Sequence, residues 1–430
     1  MKILTLLPLL LVVCLSSTCA QDAKQPNILV IISDDLGYGD VGLHGSKIPT
    51  PNLDKLVKQG VKLDRFYVHP QCSATRMTML TGRNSARFGV LGAIRRGAGI
   101  PETTTTLPKL LQSAGYHTAL IGKWHLGNLP EHHPQRKGFD SFYGHLGGSI
   151  DYFTHVAARR PDWERDGKAV EEEGYATDLL AAEAVRIIKR HATATDEKRK
   201  PFYLQLAFNA PHVPLQAPEA DIEHMRGKVA PGRETYAAMV SVMDRAIGKV
   251  VGALDASAAK DNTLVLFFND NGAHAPRGPR THYASNGPLS GGKSTVGEGG
   301  IRVLAAMRWA ERFEAASVSS QLSGCVDLLP TLCAAAGVAV PPEVAKTLDG
   351  ENLWEALKSG KNLARNPIVV LDERGSTCVM MDHWKLVTNA GGNALFNLKA
   401  DPGEKTDLSA DKPKTVRALL GVAAPFDELR

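Results

Sequence analysis

Scarcity narrows the field first. Cysteine is sparse, six in 430 residues, and two of the six, Cys14 and Cys19, fall in the leading apolar stretch. The other four, Cys72, Cys325, Cys333 and Cys378, do not make a disulfide framework in a chain of this size. One bridge among the last three stays open, and three small buried hydrophobes is the plainer reading. No charge sign dominates: the net charge is +5, without a long basic block. A dedicated nucleic-acid binder concentrates its Lys and Arg more than this, while an anionic ligand is mildly favoured. Gly and Pro are plentiful, 40 and 25, but lack the G-X-Y period of collagen. Hydrophobic residues at 43% and charged residues at 22% exclude disorder over most of the chain. Internal repeats and low-complexity tracts are absent. Beyond the first residues, no apolar run approaches the ~20 residues of a transmembrane helix.

The N-terminus has an export pattern. Lys2 precedes an apolar run over residues 3–15, and the small residues Ser16, Ser17, Thr18, Cys19 and Ala20 follow. A signal peptide over residues 1–20, cut near Ala20, is expected, which sends the chain to the periplasm or outside the cell. A lipoprotein anchor at Cys19 is the alternative, although Ser16 stands where that signal wants a large hydrophobe.

Five β-like apolar runs stand out, at residues 27–33 (NILVIIS), 61–68 (VKLDRFYV), 117–122 (HTALIG), 201–208 (PFYLQLAF) and 263–268 (TLVLFF). Helical patterns separate most of them. Thr50-Pro51 caps and opens a helix over 52–59, Thr106-Leu107-Pro108 opens another, and longer helices are predicted near 177–191 and 233–254. Short strands that are apolar on both sides, alternating with helices, predict an α/β fold with a large, mainly parallel sheet. A catalytic domain is expected over 21–342. A smaller α+β unit is expected over 343–430, with strands near 368–371, 378–381 and 385–387.

The polar clusters follow the strands. Residues 27–33 run into Asp34-Asp35, 117–122 into Lys123-Trp124-His125, and 263–268 into Asn269-Asp270-Asn271-Gly272, while His212 closely follows 201–208. In an open parallel sheet, ligands bind beyond the carboxyl ends of the strands, so these clusters should meet in one crevice. Asp34, Asp35, Asp270 and the Asn271 carbonyl offer hard oxygen donors. Such a set suits Ca²⁺, or Mg²⁺, and disfavours zinc.

Cys72 begins Cys-Ser-Ala-Thr-Arg-Met-Thr-Met-Leu-Thr-Gly-Arg. This segment resembles the sulfatase signature, with Ala74 where Pro is commoner. Four further segments match in order: Gly122-Lys123-Trp124-His125-Leu126-Gly127, Pro211-His212 with Pro214, Asp270-Asn271-Gly272, and Gly292-Lys293 with Glu298-Gly299-Gly300-Ile301-Arg302. Leu395-Phe396-Asn397-Leu398 and Asp401-Pro402 with Glu404 are typical of the family's C-terminal region. Gly138-Phe139-Asp140 and Gly148-Ser149-Ile150-Asp151-Tyr152-Phe153 are most similar to the arylsulfatase B, or N-acetylgalactosamine-4-sulfatase-like, branch. That branch belongs to the alkaline phosphatase superfamily, and its known members act on sulfated sugars.

The resemblance implies a set of roles. Cys72 would be oxidised to formylglycine by a formylglycine-generating enzyme. The hydrated aldehyde, a geminal diol, would be the nucleophile on sulfate monoesters. Asp34, Asp35, Asp270 and Asn271 would hold Ca²⁺ (or Mg²⁺), with the oxidised Cys72 beside it. Arg76 and Lys123 would stabilise the diol, and His125 would be the base on its second hydroxyl. His212 and Lys293 would sit at the sulfate and leaving oxygen, with Glu298 and Arg302 supporting the Lys293 loop. A sulfated polysaccharide, or an oligosaccharide derived from one, is the expected substrate. The expected pocket rim is His145, Asp151, Tyr152, His155, Arg159, Arg160 and Trp163, together with residues 274–286, which include Arg277, Arg280, His282 and Tyr283. Two other readings stay open: a phosphate or phosphonate ester hydrolase of the same superfamily, and a non-catalytic sugar-binding protein should Cys72 stay a thiol.

Overall fold

Fourteen strands precede residue 325 in the computed structural model, which describes residues 25–94, 97–193, 200–274 and 283–429. They are β1 (Asn27–Ser33), β2 (Val61–Leu63), β3 (Phe66–Tyr67), β4 (His117–Lys123), β5 (Ser141–His145), β6 (Val156–Ala157) and β7 (Arg160–Pro161). The series continues with β8 (Glu164–Arg165), β9 (Lys168–Ala169), β10 (Phe202–Ala207), β11 (Thr263–Asn269), β12 (Ala305–Arg308), β13 (Ser317–Ser319) and β14 (Ser323–Gly324). Ten of these form one sheet in the order β13-β2-β12-β11-β1-β10-β4-β5-β8-β9. The central five, β11-β1-β10-β4-β5, are all parallel, and antiparallel pairs flank them. The expected mainly parallel α/β sheet is therefore present, and the expected signal segment lies outside the described residues.

The two-sided apolar pattern of the strands feeds two cores. In β1, Leu29 and Ile31 point to one core and Ile28, Val30 and Ile32 to the other, as the period of two requires. Helices Ala176–Thr193 and Glu234–Asp255 cover the first face. Helices Cys72–Thr81, Leu107–Ser113 and Leu328–Ala335 cover the second. Leu353, Trp354 and Leu357 pack into that second core too.

Two local expectations need correction. The run 61–68 is not one strand. It breaks at Asp64-Arg65, so that β2 joins the large sheet while β3 pairs with β14. At the break the Asp64 amide still donates to Ser319 O at 3.0 Å, and Arg302 bonds both the carbonyl and the carboxylate of Asp64. Thr50 does not cap helix Pro51–Lys58 through its side chain, and donates instead to Asp54. The buried Asp244 of the long helix accepts the first free amides, from Asn52 at 3.1 Å and Leu53 at 2.7 Å.

The C-terminal sheet comprises β15 (Ile368–Leu371), β16 (Thr377–Met381), β17 (Trp384–Asn389) and β18 (Gly392–Asn397), antiparallel in that order. The fourth strand lay within a motif but carried no strand signal of its own. One face packs against Tyr67, Val296 and Ile301 of the large unit. The other packs against Leu419 and Ala423 of helix Pro413–Asp427. Leu386 faces that helix, so its neighbour Lys385 faces the large unit, where it is fully buried. Its ammonium bonds Glu298 at 3.0 Å and Glu404 at 2.8 Å. Glu404 also accepts the Glu298 amide at 2.7 Å and the Ser290 hydroxyl.

Cys325, Cys333 and Cys378 are buried free thiols, as the plainer reading had them, and burial pushes all three upward in pKa. No helix among the described residues is long and apolar enough to cross a membrane.

Removing one member of a buried ion cluster leaves charge without a partner and typically costs ~3–5 kcal/mol. Lys385→Met should therefore lower the urea midpoint by a stability loss of about 3 kcal/mol. Adding Glu404→Gln should recover part of it, a coupling that a double-mutant cycle measures. Additive losses would show that the pair does not interact.

Candidate active site

The crevice at the carboxyl ends of the central strands collects the expected residues. Asp34 and Asp35 follow β1 directly, and Asp270 follows β11. The Asp34 amide donates to Ala210 O and the Asp270 amide to Ser33 O, which fixes how each chain leaves the sheet. Lys123 ends β4, fully buried, with its ammonium on Asp34. Arg76, from helix Cys72–Thr81, donates two hydrogen bonds to Asp270 at 3.1 and 2.8 Å and a third to Lys123 O at 2.7 Å. Lys293 spans both oxygens of Asp35, at 2.6 and 2.7 Å. His212 Nε2 lies 3.6 Å from Asp35.

Cys72 opens its helix, and all ten residues of that helix are buried. The helix N-terminus presents amides that have no partner inside the helix, and a positive dipole end. Cys72 Sγ stands 3.0 Å from His125 Nδ1. Ser73 secures the arrangement, donating to His125 O at 2.9 Å and accepting the Ile94 amide at 3.0 Å. Gly148 backs the other side of the ring, where a Cβ would come within 2.5 Å of His125 Nε2. In the Asp270-Asn271-Gly272 motif the glycine is steric as well: a Cβ on Gly272 would meet Gly299 O at 1.7 Å. Three non-glycine residues of the site, Asp35, His125 and Ser294, have left-handed backbone, with φ of 63°, 58° and 68°.

Burial opposes ionisation of every carboxylate here. It is outweighed at Asp34 by Lys123, His212 and Arg76, and at Asp35 by Lys293 and His212, so both are held below the usual carboxylate range. At Asp270, burial and the neighbouring Asp34 win over Arg76 and push the carboxyl well up. His125 is pushed well down by burial, then by Lys123 and Arg76. His212 goes down to about 4, because burial exceeds the pull of Asp35 and Asp34. Lys293 moves up, as Asp35 overcomes the cost of burial.

The donor set fits a hard divalent cation. Asp34 Oδ1, Asp270 Oδ1 and Asn271 Oδ1 are buried without any hydrogen-bond partner. Unpaired buried oxygens are costly unless a cation or water meets them. The Asn271 amide turns its Nδ2 to Asp35 at 2.6 Å, which leaves that oxygen available. Donor atoms of Asp34, Cys72 and Asp270 lie within 4.8 Å of one another, as do those of Asp34, Asp35 and His212. Oxygen dominates both groups, as Ca²⁺ or Mg²⁺ prefers.

The structure therefore brings together Asp34, Asp35, Cys72, Arg76, Lys123, His125, His212, Asp270, Asn271 and Lys293. The expected rim fares differently. His145, Tyr152, His155 and Trp163 are buried. Tyr152 spends its hydroxyl on Asn209 O and His212 O, and Trp163 donates to Glu172 and stacks on His155. Asp151 is occupied in a turn, accepting from the Phe153 and Thr154 amides and from Gln216. Arg159 and Arg160 are exposed. Arg277, Arg280 and His282 lie outside the described residues.

Several supports were not read from sequence. Gln71, beside the candidate nucleophile, donates to Ser294 Oγ at 2.6 Å and to Glu373 of the β15–β16 turn at 3.2 Å. Glu298, expected to steady the Lys293 loop, is itself held by Lys385 and by the Tyr67 hydroxyl at 3.1 Å. Arg302 reaches Glu298 at 3.7 Å and also bonds Asp64 at 3.0 Å. No sequence signal marks Gln71 or Lys385. Glu404 lay in a recognised motif, but without a partner assigned to it.

The sulfatase family model matches residues 26–338. Arylsulfatase J of Mus musculus is 33% identical over 94% of this chain and 76% of its own length. N-acetylgalactosamine-6-sulfatase of Homo sapiens is 36% identical over 89% of this chain and 76% of its own. Among solved structures, Ps i-CgsB in complex with k-i-k-neocarrahexaose superposes with a TM-score of 0.87 at 35% identity, covering 94% of this chain and 93% of that one. The likeness extends through the strand-end crevice and into the C-terminal sheet, and on it the chain belongs to the sulfatase family of sulfuric ester hydrolases.

Proposed function

We propose that this enzyme hydrolyses sulfate monoesters on a sulfated polysaccharide or an oligosaccharide derived from one, using Cys72 oxidised to formylglycine and one Ca²⁺ (or Mg²⁺). The observation that carries the reading is Cys72 Sγ at 3.0 Å from His125 Nδ1, at a buried helix start beside three unpartnered acceptor oxygens. Relatives named N-acetylgalactosamine-6-sulfatase and the neocarrahexaose complex of Ps i-CgsB support a glycan as substrate. The leading apolar stretch supports export.

In the mature enzyme an oxygen stands where Sγ is, and the hydrated aldehyde offers one hydroxyl to attack sulfur and a second to lose a proton afterwards. Asp34, Asp35, Asp270 and Asn271 would hold a divalent cation, which would supply Lewis acidity toward the anionic ester. The chain's own side chains do the rest. His125 Nδ1, held by burial in its neutral form, accepts the proton from the position Sγ marks. Arg76, tied to Asp270 and Lys123 O, brings a fixed charge that needs no reorganisation. Lys123 adds a second behind it. Lys293 and His212 flank Asp35 at the other side, toward the leaving oxygen. Lys293 remains an ammonium there. His212 donates its Nδ1 proton to Val213 O at 2.7 Å, so Nε2 is left facing Asp35 and the site.

Cys72→Ala should abolish sulfate release while leaving the circular dichroism spectrum and thermal midpoint near those of the wild type, because a methyl group cannot become an aldehyde. Mass analysis of the wild-type peptide should show the aldehyde. Near-normal turnover in the alanine variant would overturn the mechanism.

Asp35→Ala and Asp270→Ala should each lose bound metal and activity together, since each removes a hard donor and leaves a cation unpaired. Elemental analysis of active wild-type protein should find calcium or magnesium. Zinc at full occupancy, with neither of those, would refute the ligand argument.

A further inference from the structure

Large apolar side chains left in water on a rigid support mark binding surfaces. Among the described residues four are exposed: Phe153, Val213, Val318 and Leu363. Two of them, Phe153 at 44% and Val213 at 37%, sit on the two loops that meet at His212.

Neither loop is loose. The Tyr152 hydroxyl shares its one proton between Asn209 O at 2.6 Å and His212 O at 2.8 Å, which ties the residue before Phe153 to the segment before Val213. The Tyr152 amide donates to Gln216 Oε1 at 2.9 Å, and Gln216 Nε2 returns to Asp151 at 2.7 Å. Tyr175 closes the assembly: it stacks on Tyr152, packs against Phe153 with ring centroids 5.3 Å apart, and donates to Gln216 O at 2.8 Å. Phe153 is thus held with one side on Tyr175 and nearly half its surface in water. The same loop continues into the β6–β7 hairpin, whose turn residues Ala158 and Arg159 have φ of 47° and 66°. Arg159 and Arg160 are exposed there, and neither pairs with a carboxylate among the described residues. An apolar ring and two exposed arginines without a carboxylate partner therefore lie on one continuous stretch of chain that Tyr152 ties to the His212 segment.

We propose that Phe153, with Val213 beside it, is the platform for the sugar ring adjoining the sulfated one, and that Arg159 holds an anionic group of the same glycan. This rests on the glycan reading above. A pyranose has an apolar face of C–H groups that covers an aromatic ring, and Arg binds sulfate or carboxylate through paired donors. The occupant is an acidic oligosaccharide because an uncharged one would leave both arginines unused. A small aryl sulfate fills only the crevice and does not reach the platform.

The test compares 4-nitrophenyl sulfate with a panel of sulfated oligosaccharides: k-i-k-neocarrahexaose and hexasaccharides from chondroitin sulfate, heparan sulfate and fucoidan. On whichever oligosaccharide the wild type cleaves best, Phe153→Ala should lower kcat/KM by ~3- to 10-fold, the range of a lost aromatic contact. Phe153→Trp should keep it, and Arg159→Ala should lower it by a similar factor that shrinks at high salt. Turnover of 4-nitrophenyl sulfate should stay within about twofold in all three, which also reports intact folding. Equal losses on both substrate types, or no loss on the oligosaccharide, would overturn the platform. Cleavage of the aryl sulfate with none of the oligosaccharides would overturn it too, and leave the sulfatase chemistry standing. Cleavage of neither would remove the reading on which it rests.

Discussion

Three carboxylates brought together out of water repel one another, and most of the architecture around the crevice answers that repulsion. Asp34, Asp35 and Asp270 arrive at neighbouring strand ends because β1 and β11 are adjacent and in register. Arg76, Lys123 and Lys293 balance them one for one. The balance is uneven. Asp34 and Asp35 are drawn down, while Asp270, next to Asp34, is pushed up. A divalent cation among the three unpartnered oxygens would remove that inequality. It would also leave the crevice with a positive excess suited to an anionic ester.

Holding the three cations in place takes more of the chain than the crevice itself. Arg76 depends on the helix that Cys72 begins, and that helix is locked to the His125 turn through Ser73. Lys293 depends on a loop clamped from the other side by Glu404 and Lys385. Asp35, His125 and Ser294 keep left-handed backbone, a cost of ~1–3 kcal/mol each that only a well-packed surround sustains. Strain and burial coincide where the chemistry sits.

The strand ends were legible because β1, β10 and β11 are apolar on both sides, and polar residues directly after such runs have few places to be. Contacts between distant segments were not legible. Lys385 reads as a surface lysine in a short strand, since its partner Glu298 is 87 residues away. The aromatic and histidine residues between 145 and 163 lie in a polar stretch, which suggested exposure. Sequence carries no sign that the Tyr152 hydroxyl meets His212 O, or that Trp163 stacks under His155. Phe153, the most apolar residue of that group, is the one left in water. The break at Asp64-Arg65 was similarly hidden, because the partner of Asp64 there, Arg302, is 238 residues away.

The Lys385–Glu298–Glu404 cluster bears on the order in which the enzyme is built. Synthesis runs from the N-terminus, so the parts of the crevice from Asp34 to Lys293 leave the ribosome before Lys385 and well before Glu404. Until then the Lys293 loop has no counter-charges from the C-terminal sheet, and Glu298 has no lysine. Cys72 is only 2% exposed once the fold is complete, and its neighbour Gln71 is held by Glu373, which is also made late. The last-made segment thus completes the surround of the site, since its arrival supplies the final ion pairs.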